Sequence, residues 1–177
     1  MGMDTFQKVK PTLAFRSKTF IFPLLIRGGK PTPMLPFTLA FIFCGMNGFL
    51  QGGYILKYAD FSSASPVRIV AGIAVFFTGM LINIHSDHVL RNLRKPGETT
   101  YKIPYGGMFN YVSGANFLGE IIEWTGFTIL NWTFPTVIFA FFTVTNIGPR
   151  AVHHHTWYKE KFDDYPKNRK ALIPFIL

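Results

Sequence analysis

The chain has 177 residues, of which 49% are hydrophobic and only 15% are charged. Ordinary soluble domains carry about 25% charged residues, so this composition excludes an ordinary soluble domain and indicates a membrane protein of one domain. The formal net charge is +9, but the basic residues lie between apolar runs instead of forming one stripe, which argues against a nucleic-acid partner.

The apolar stretches predict helices that cross a membrane, because a spanning helix needs about 20 mostly apolar residues. Residues 1–18 are polar and basic, and we expect them to form an irregular arm before a membrane domain at 19–177. The predicted spans cover residues 36–54, 67–84, 108–132 and 134–147, and a basic amphipathic segment follows from residue 150. We therefore expect an all-α, multi-pass transmembrane bundle of about four spanning helices with a carboxy-terminal amphipathic segment.

The distribution of lysine and arginine supports this layout. With four spans, 16 of the 18 basic residues lie on one side of the membrane, and only Lys57 and Arg68 lie on the other. Cytoplasmic loops of membrane proteins carry an excess of basic residues, so the basic side is predicted to be cytoplasmic. One span more or fewer would scatter the basic residues over both sides.

The stretch from 79 to 107 carries a polar helix face at the edge of the second span. Asn83, Asp87, Arg91 and Arg94 recur at spacings of four, four and three residues, so they share one side of a helix. Polar and ionisable groups at membrane depth are costly and usually mark a site. A basic segment at a membrane exit would explain the two arginines but not Asn83 and Asp87, and we therefore favour a binding site.

The third predicted span carries a second polar set. Asn116, Glu120, Glu123 and Trp124 follow one another at spacings of four, three and one residues and lie within about a third of a turn. Two carboxylates inside a membrane helix cost several kcal/mol unless they are paired, protonated or hydrated. A structural salt bridge would explain Glu123, whereas Asn116 and Glu120 together favour a polar cavity.

The loop between the second and third spans contains Tyr101, Lys102 and the pair Gly106-Gly107. Two glycines allow a ligand to approach the backbone closely, and they are equally typical of a plain turn. Together with Arg94 and the neighbouring lysines, the loop is a candidate phosphate-binding site.

Three adjacent histidines, 153–155, are the most conspicuous motif near the end of the chain. Neighbours on a helix point about 100° apart and the HExxH spacing is absent, so we expect no metal. Arg150, His154 and Tyr158 are four residues apart and share a helix face, and we expect His154 and Tyr158 to face a ligand. The sequence contains neither GxGxxG nor a P-loop, so soluble nucleotide-binding folds are not indicated.

From about Thr19 onward the chain resembles the carboxy-terminal two-thirds of steroid 5α-reductases (3-oxo-5α-steroid 4-dehydrogenases, type 1/type 2 branch). The stretches that carry the resemblance are LIRGGKP, GMLINIHSDHVLRNLRKPGETTYKIPYGG, YVSGANFLGEIIEW and HHHTWYKEKFDDYPKNRKALIPFIL. The resemblance implies a multi-pass protein of the endoplasmic reticulum membrane. It implies that NADPH is used to reduce the double bond conjugated to the 3-ketone of steroids such as testosterone or progesterone.

The resemblance also implies which residues bind the cofactor. The family's cofactor-binding positions match Asn83, Asp87, Arg94, Tyr101, Asn116, Glu120, Trp124, His154 and Tyr158. Among these positions, Trp124 matches a residue near the nicotinamide. In this assignment arginine binds phosphates, while asparagine and aspartate bind ribose or amide groups, and the protein orients the cofactor and excludes water.

One departure from the family pattern concerns the catalytic residues. Family members begin with further membrane helices, which carry a glutamate and a tyrosine that bind and polarise the steroid 3-ketone. Here the tyrosine position falls at or near Phe15, and no glutamate precedes Glu98, so the sequence assigns no catalytic residue. Reducing an enone requires a hydrogen-bond donor at the carbonyl oxygen. We therefore expect a truncated isoform or the product of an incomplete gene model.

Two other functions stay open. The first is a non-catalytic membrane protein that retains the cofactor-binding half and acts by association with a full-length partner. The missing donor favours it for the isolated chain, whereas the cofactor motifs favour the reductase. The second is a membrane methyltransferase for small lipophilic substrates, whose cofactor would not need this set of arginines.

Overall fold

A computed structural model of the chain describes residues 33–58, 64–94, 98 and 100–177. These residues form four α-helices, α1 (Met34–Tyr58), α2 (Pro66–Asn92), α3 (Ala115–Asn131) and α4 (Phe134–Lys161), with a 3-10 helix at Gly107–Asn110 before α3. Within the described ranges there is no β-strand, only an isolated bridge between Val112 and Lys170. The expected all-α fold is confirmed for this part of the chain. The predicted basic arm, Phe15 and Lys95 lie outside the described residues.

The chain divides into two compact units. The first comprises residues 1–57 and 95–98, and its described part is essentially α1. The second comprises residues 58–94 and 99–177, and it contains α2, the 3-10 helix, α3, α4 and the carboxy-terminal tail. Among the described helices, α1 and α2 have the length and hydropathy of a membrane span. Length and composition thus support two of the four predicted spans.

The α2 and α3 helices pack with their backbones in direct contact. A Cβ added to Gly119 would lie 2.6 Å from the backbone nitrogen of Asn83, and one added to Gly79 would overlap the backbone nitrogen of Glu123. Gly72 and Gly126 meet the other helix in the same way further along. Small residues at a helix interface allow this approach and are typical of membrane helices. The glycines therefore set the position of α2 against α3.

The predicted start of the third span at residue 108 is wrong. Residues 107–110 form a 3-10 helix, and the α-helix begins only at Ala115. The intervening backbone pairs with the tail instead: the Ser113 N–H donates to Lys170 O at 2.8 Å, and the Gly114 N–H donates to Ala171 O at 2.9 Å. A backbone donor committed to the tail is not available for a helix.

The predicted end of the fourth span at residue 147 does not coincide with the end of the helix. α4 continues through Pro149 to Lys161, so it carries the three histidines on a helix. A proline inside a helix removes one hydrogen bond, but Ala151 and Tyr158 beyond it are buried. Burial of an amphipathic face supplies most of a helix's stability in a protein, and here it outweighs the proline. The tail from residue 162 onward consists of turns.

A small apolar core lies where the 3-10 helix, α3, α4 and the tail meet. Its buried members are Phe109, Val112, Ala115, Leu118, Ala151 and Leu172. This core fixes the tail beside the start of α3, and the tail then contributes side chains to the region described next.

Candidate functional site

The interface between α2 and α3 is polar where Gly119 packs against the backbone of Asn83. Asn83, Asn116 and Glu120 are 1%, 8% and 4% exposed. The side-chain amide of Asn83 donates to the backbone oxygen of Asn116 at 2.9 Å. The structure thus joins Asn83 of α2 to Asn116 of α3, and it buries Glu120 one turn after Asn116 on α3.

Two buried oxygens of α2 have no hydrogen-bond partner within the described part of the chain. They are Asn83 Oδ1 and Ser86 Oγ. A buried polar group without a partner costs about 1–3 kcal/mol, so each oxygen is a candidate contact for a polar group of a ligand. Ser86 was not predicted, although it lies three residues after Asn83 and therefore on the same face of α2.

Two further predicted residues lie along the same helices. Asp87 is half-buried on α2, four residues after Asn83. Trp124 lies four residues after Glu120 on α3, and its ring packs edge-on against Phe139 of α4 with a centroid distance of 4.5 Å. The structure therefore places Trp124 between α3 and α4, with an aromatic neighbour on α4.

A second group of predicted residues gathers around the end of α2. The Arg94 guanidinium lies 4.6 Å from the centroid of the Tyr101 ring, within the range of a cation–π contact. Tyr101 packs edge-on against Trp157 at 4.9 Å, and Trp157 contacts Tyr158 at 5.2 Å. A chain of aromatic contacts therefore connects Arg94 through the loop to α4.

Tyr158 is held in its neutral form. Burial, and then the neighbouring Tyr165, raise the pKa of Tyr158 to about 12, although Arg94 and Arg169 act in the opposite direction. At physiological pH the phenol carries its proton, as an ordinary tyrosine with a pKa of about 10 also does, and it can donate a hydrogen bond.

The three adjacent histidines have three different environments. His153 is exposed, and His154 lies against Phe117 of α3 at a centroid distance of 5.9 Å. The Nδ1 atom of His155 lies 2.6 Å from Ser113 Oγ. Neighbours on a helix point in different directions. Of the three histidines, His154 is the one whose ring lies against α3, at Phe117, which follows Asn116 in the sequence.

A buried polar network was missed in the sequence. Ser113 Oγ lies 2.6 Å from the Tyr165 hydroxyl as well as from His155. Arg169, only 2% exposed, donates through Nη1 to Pro104 O at 3.1 Å and lies over the rings of Tyr105 and Tyr165. The network ties the tail to α4 and to the loop before the 3-10 helix. Arg169 stands among surface lysines in the sequence, and no spacing distinguishes it from them.

The glycine pair in the loop has a structural role at Gly107. Both glycines have positive φ, 101° for Gly106 and 53° for Gly107, which disfavours other residues. A Cβ on Gly107 would lie 2.7 Å from Nδ1 of His85. The plain-turn interpretation therefore explains Gly107.

An open cleft of about 590 Å³ adjoins this turn. It is lined by Leu81, Ile82, His85, Gly107, Met108, Asn110 and Tyr111. None of the nine predicted site residues lines it.

We expect His155 to make the stability of the chain depend on pH. Burial, followed by the charges of Lys159, Arg169 and Lys170, lowers the pKa of His155 below its usual value of 6.5. The unfolded chain then binds more protons near this pH, so the free energy of unfolding falls as the pH drops below about 6.5. His155→Gln should reduce the loss of melting temperature between pH 7.5 and 5.5. An unchanged loss in His155→Gln, or an equal reduction in the exposed control His153→Gln, would contradict this assignment.

The donors and acceptors present fit a cofactor that combines amide, hydroxyl and phosphate groups. The unsatisfied Asn83 Oδ1 can accept a hydrogen bond from an amide or hydroxyl. Arg94, stacked on Tyr101, offers a planar cation of the kind that binds phosphate. All nine predicted residues belong to the second compact unit.

Comparison with known proteins agrees with the resemblance seen in the sequence. The profile of the 3-oxo-5-alpha-steroid 4-dehydrogenase family matches residues 30–177. The chain is 54% identical over 162 residues to the rat 3-oxo-5-alpha-steroid 4-dehydrogenase 1, covering 90% of this chain and 62% of that protein. It is 52% identical over 162 residues to the human type 1 protein, with the same coverage. It is 51% identical over 166 residues to the human type 2 protein, covering 93% of this chain and 65% of that one.

The matched relatives are longer than this chain, which spans somewhat less than two-thirds of their length, between 62% and 65% in these three cases. The match nevertheless includes every described residue. The chain therefore belongs to the 3-oxo-5-alpha-steroid 4-dehydrogenase family.

Proposed function

We propose that the chain takes part in the NADPH-dependent reduction of the C4–C5 double bond of 3-oxo-Δ4 steroids to 5α-steroids, in steroid and androgen metabolism. The observation that carries this proposal is the buried polar interface of Asn83, Asn116 and Glu120, in the same compact unit as the Arg94–Tyr101 stack. The names of the relatives, 3-oxo-5-alpha-steroid 4-dehydrogenases, support the steroid substrate.

The proposed roles of the residues follow from their chemistry. NADPH, when bound, supplies the hydride. Arg94 binds a phosphate, and Asp87, Asn83, Asn116 and Glu120 bind the hydroxyl or amide groups of the cofactor. Tyr101, Trp124, His154 and Tyr158 complete the proposed site, with Trp124 at its hydride end. Burial of the polar interface excludes water, which strengthens each of these hydrogen bonds.

We also propose that α3 and the first half of α4 cross the membrane with α2, giving four spans in the endoplasmic reticulum membrane. Glycine contacts run along the two helices from Gly72 against Leu130 to Gly119 against Asn83. They hold α3 alongside α2, so both helices lie at the same depth. α3 has 17 residues, a length of roughly 26 Å at 1.5 Å per residue, close to the thickness of the hydrocarbon core. Trp132, at the end of α3, is 65% exposed, as expected of an aromatic side chain at a membrane surface. The basic side is then cytoplasmic.

A second candidate function is a cofactor-binding membrane protein without turnover of its own, which associates with a full-length partner. The location of all nine site residues in one compact unit is compatible with cofactor binding in either case.

The test is a thermal melt of the detergent-solubilised chain with NADPH and with NADH, followed by an assay of testosterone and progesterone reduction. A ligand at about 100 times its Kd stabilises the folded state by about 2.7 kcal/mol. A shift selective for NADPH with turnover supports the reductase, and the same shift without turnover supports the second candidate. The absence of any shift in a folded sample contradicts both.

Arg94→Ala is expected to raise the Kd for NADPH roughly ten- to a hundredfold, because a charge-assisted hydrogen bond is worth about 1.5–3 kcal/mol. The measurement is a titration of the folded variant with NADPH. Arg91→Ala is the matched control, since Arg91 contacts His88 one turn earlier on α2 at 3.3 Å. If Arg94→Ala binds NADPH like the parent chain, Arg94 is not a phosphate ligand.

A further inference from the structure

The last residues of the chain form a tight loop that is closed by backbone hydrogen bonds. The N–H groups of Leu172 and Ile173 donate to Leu177 O at 2.6 and 2.7 Å, and the Leu177 N–H donates back to Ile173 O at 3.0 Å. A loop closed in this way holds its side chains in fixed directions. Leu172 faces inward, because it belongs to the buried core.

The other side chains of this loop are apolar and face outward. Phe175 is 81% and Ile176 is 76% exposed, and Ile173 and Leu177 are also exposed. Phe175 has a φ of 66°, a conformation that is unfavourable for a bulky side chain. A large aromatic side chain at such a position, turned away from the core, indicates a function outside the core. These four residues are named the apolar loop.

The apolar loop lies beside the start of α3. The preceding tail pairs with the backbone just before that helix, through Ser113 N–H to Lys170 O and Gly114 N–H to Ala171 O. The ring of Phe175 contacts that of Tyr111 edge-on at 5.9 Å, and Tyr111 is itself 49% exposed. Tyrosines are enriched where a membrane protein meets the headgroups, so this end of α3 has the character of a membrane boundary.

The charges around the apolar loop match a lipid surface. The exposed Lys167 and the half-buried Lys170 are the charged residues of the tail surface nearest to it in the sequence, and the exposed Asp163 and Asp164 lie further away along the chain. Basic residues beside exposed aromatic and aliphatic side chains are typical of segments that bind the interface of an anionic leaflet. The apolar loop also lies beside the start of α3, which the proposed placement puts at the membrane boundary. We therefore favour a lipid surface over an acidic protein partner.

We propose that the apolar loop inserts into the headgroup–acyl boundary of the bilayer on the side where α3 begins, and anchors the tail there. This inference rests on the proposed membrane placement of α2 and α3 but not on the proposed reaction. It assigns a role to the tail that is distinct from the internal contacts of Arg169 and Tyr165. The bilayer fixes one side of the tail while the buried network fixes the other.

The experiment uses the full chain with Cys44→Ser as background, reconstituted in nanodiscs of phosphatidylcholine and phosphatidylserine. A spin label is attached at Ile176→Cys, with Phe175→Cys as a second reporter. Asn168→Cys in the exposed part of the tail is the matched aqueous control, and Val70→Cys, exposed on α2, is the membrane reference. Collisions of each label with oxygen, which concentrates in lipid, are compared with collisions with a water-soluble nickel chelate. Circular dichroism confirms that each variant is folded.

We expect the labels at 176, 175 and 70 to favour oxygen over nickel, and the label at 168 to favour nickel. If position 176 behaves like position 168 while position 70 is in lipid, the loop is in water and the proposal is overturned. If both reagents are excluded at 176, a protein surface covers the loop, which also overturns it. If position 70 is in water, the membrane placement fails and the proposal fails with it. None of these readouts depends on NADPH or steroid, so they are independent of the proposed reaction.

Discussion

Replacing Gly79 with alanine is expected to lower the free energy of unfolding of the chain by roughly 1–3 kcal/mol, the usual cost of overpacking a tight interface. The added Cβ would overlap the backbone nitrogen of Glu123 and lie 2.6 Å from the backbone oxygen of Gly119. Backbone atoms cannot rotate aside as a side chain can, so α2 and α3 must separate. The measurement is thermal unfolding of the variant in detergent, monitored by circular dichroism.

The matched control is Gly53→Ala on α1, where a Cβ would have no atom within 4 Å. Alanine is preferred over glycine in a helix by about 1 kcal/mol, so this variant should be as stable as the parent chain or slightly more stable. A loss of stability in Gly53→Ala equal to that in Gly79→Ala would mean that the glycines act through flexibility and not through close packing. Separating the helices should also weaken the contact from Asn83 to Asn116, and with it any binding at this site.

The polar residues of the site could be predicted from the sequence one helix at a time. Their helical spacing and the free-energy cost of polar groups at membrane depth identified Asn83 and Asp87 on α2, and Asn116 and Glu120 on α3, as unusual. The contact between Asn83 and Asn116 depends on which face of α2 meets which face of α3. The glycines at spacing seven, 72 with 79 and 119 with 126, carry that information, but glycine within a helix also has simpler explanations and no single helix reveals its partner.

The contribution of the tail could not be predicted, because it depends on contacts between distant residues. Ser113 and His155 are 42 residues apart, and Arg169 meets Pro104 across 65 residues. No periodicity relates such positions. Arg169 stands beside lysines in the sequence, as an exposed surface arginine would. The same long-range pairing explains why α3 begins at Ala115 and not at residue 108, since the tail takes the backbone donors of Ser113 and Gly114.

The continuation of α4 beyond Pro149 could not be predicted from the local sequence either. Pro149 predicts a helix boundary, and the apolar run indeed ends near it. The helix continues because Ala151 and Tyr158 are buried on the far side of the proline, and this burial is visible only in the folded chain. The continuation matters for the site, because it places His154 against α3 and His155 against Ser113.

Removing the Glu120 carboxylate is expected to raise the Kd for NADPH roughly ten- to a hundredfold in Glu120→Ala, with a smaller rise in Glu120→Gln. Glu120 is 4% exposed and lies one turn from Asn116 on α3. A hydrogen bond to a charged group contributes about 1.5–3 kcal/mol, and each 1.4 kcal/mol is a factor of ten in Kd. Glutamine keeps an acceptor oxygen of the same reach but loses the charge, which is why its effect is smaller. The measurement is an NADPH titration of each folded variant, with the melting temperature recorded alongside.

Glu123→Ala is the matched control, since Glu123 is a half-buried carboxylate three residues further along the same helix. It should change stability without changing the affinity for NADPH. The structural alternative for Glu120 makes an opposite prediction: breaking a buried charge pair costs about 3–5 kcal/mol of stability and leaves the affinity of the remaining folded molecules intact. A large fall in melting temperature with unchanged NADPH affinity would therefore identify Glu120 as a structural partner within the helix bundle. A large rise in Kd with a melting temperature close to that of the parent chain would support Glu120 as a ligand of the cofactor.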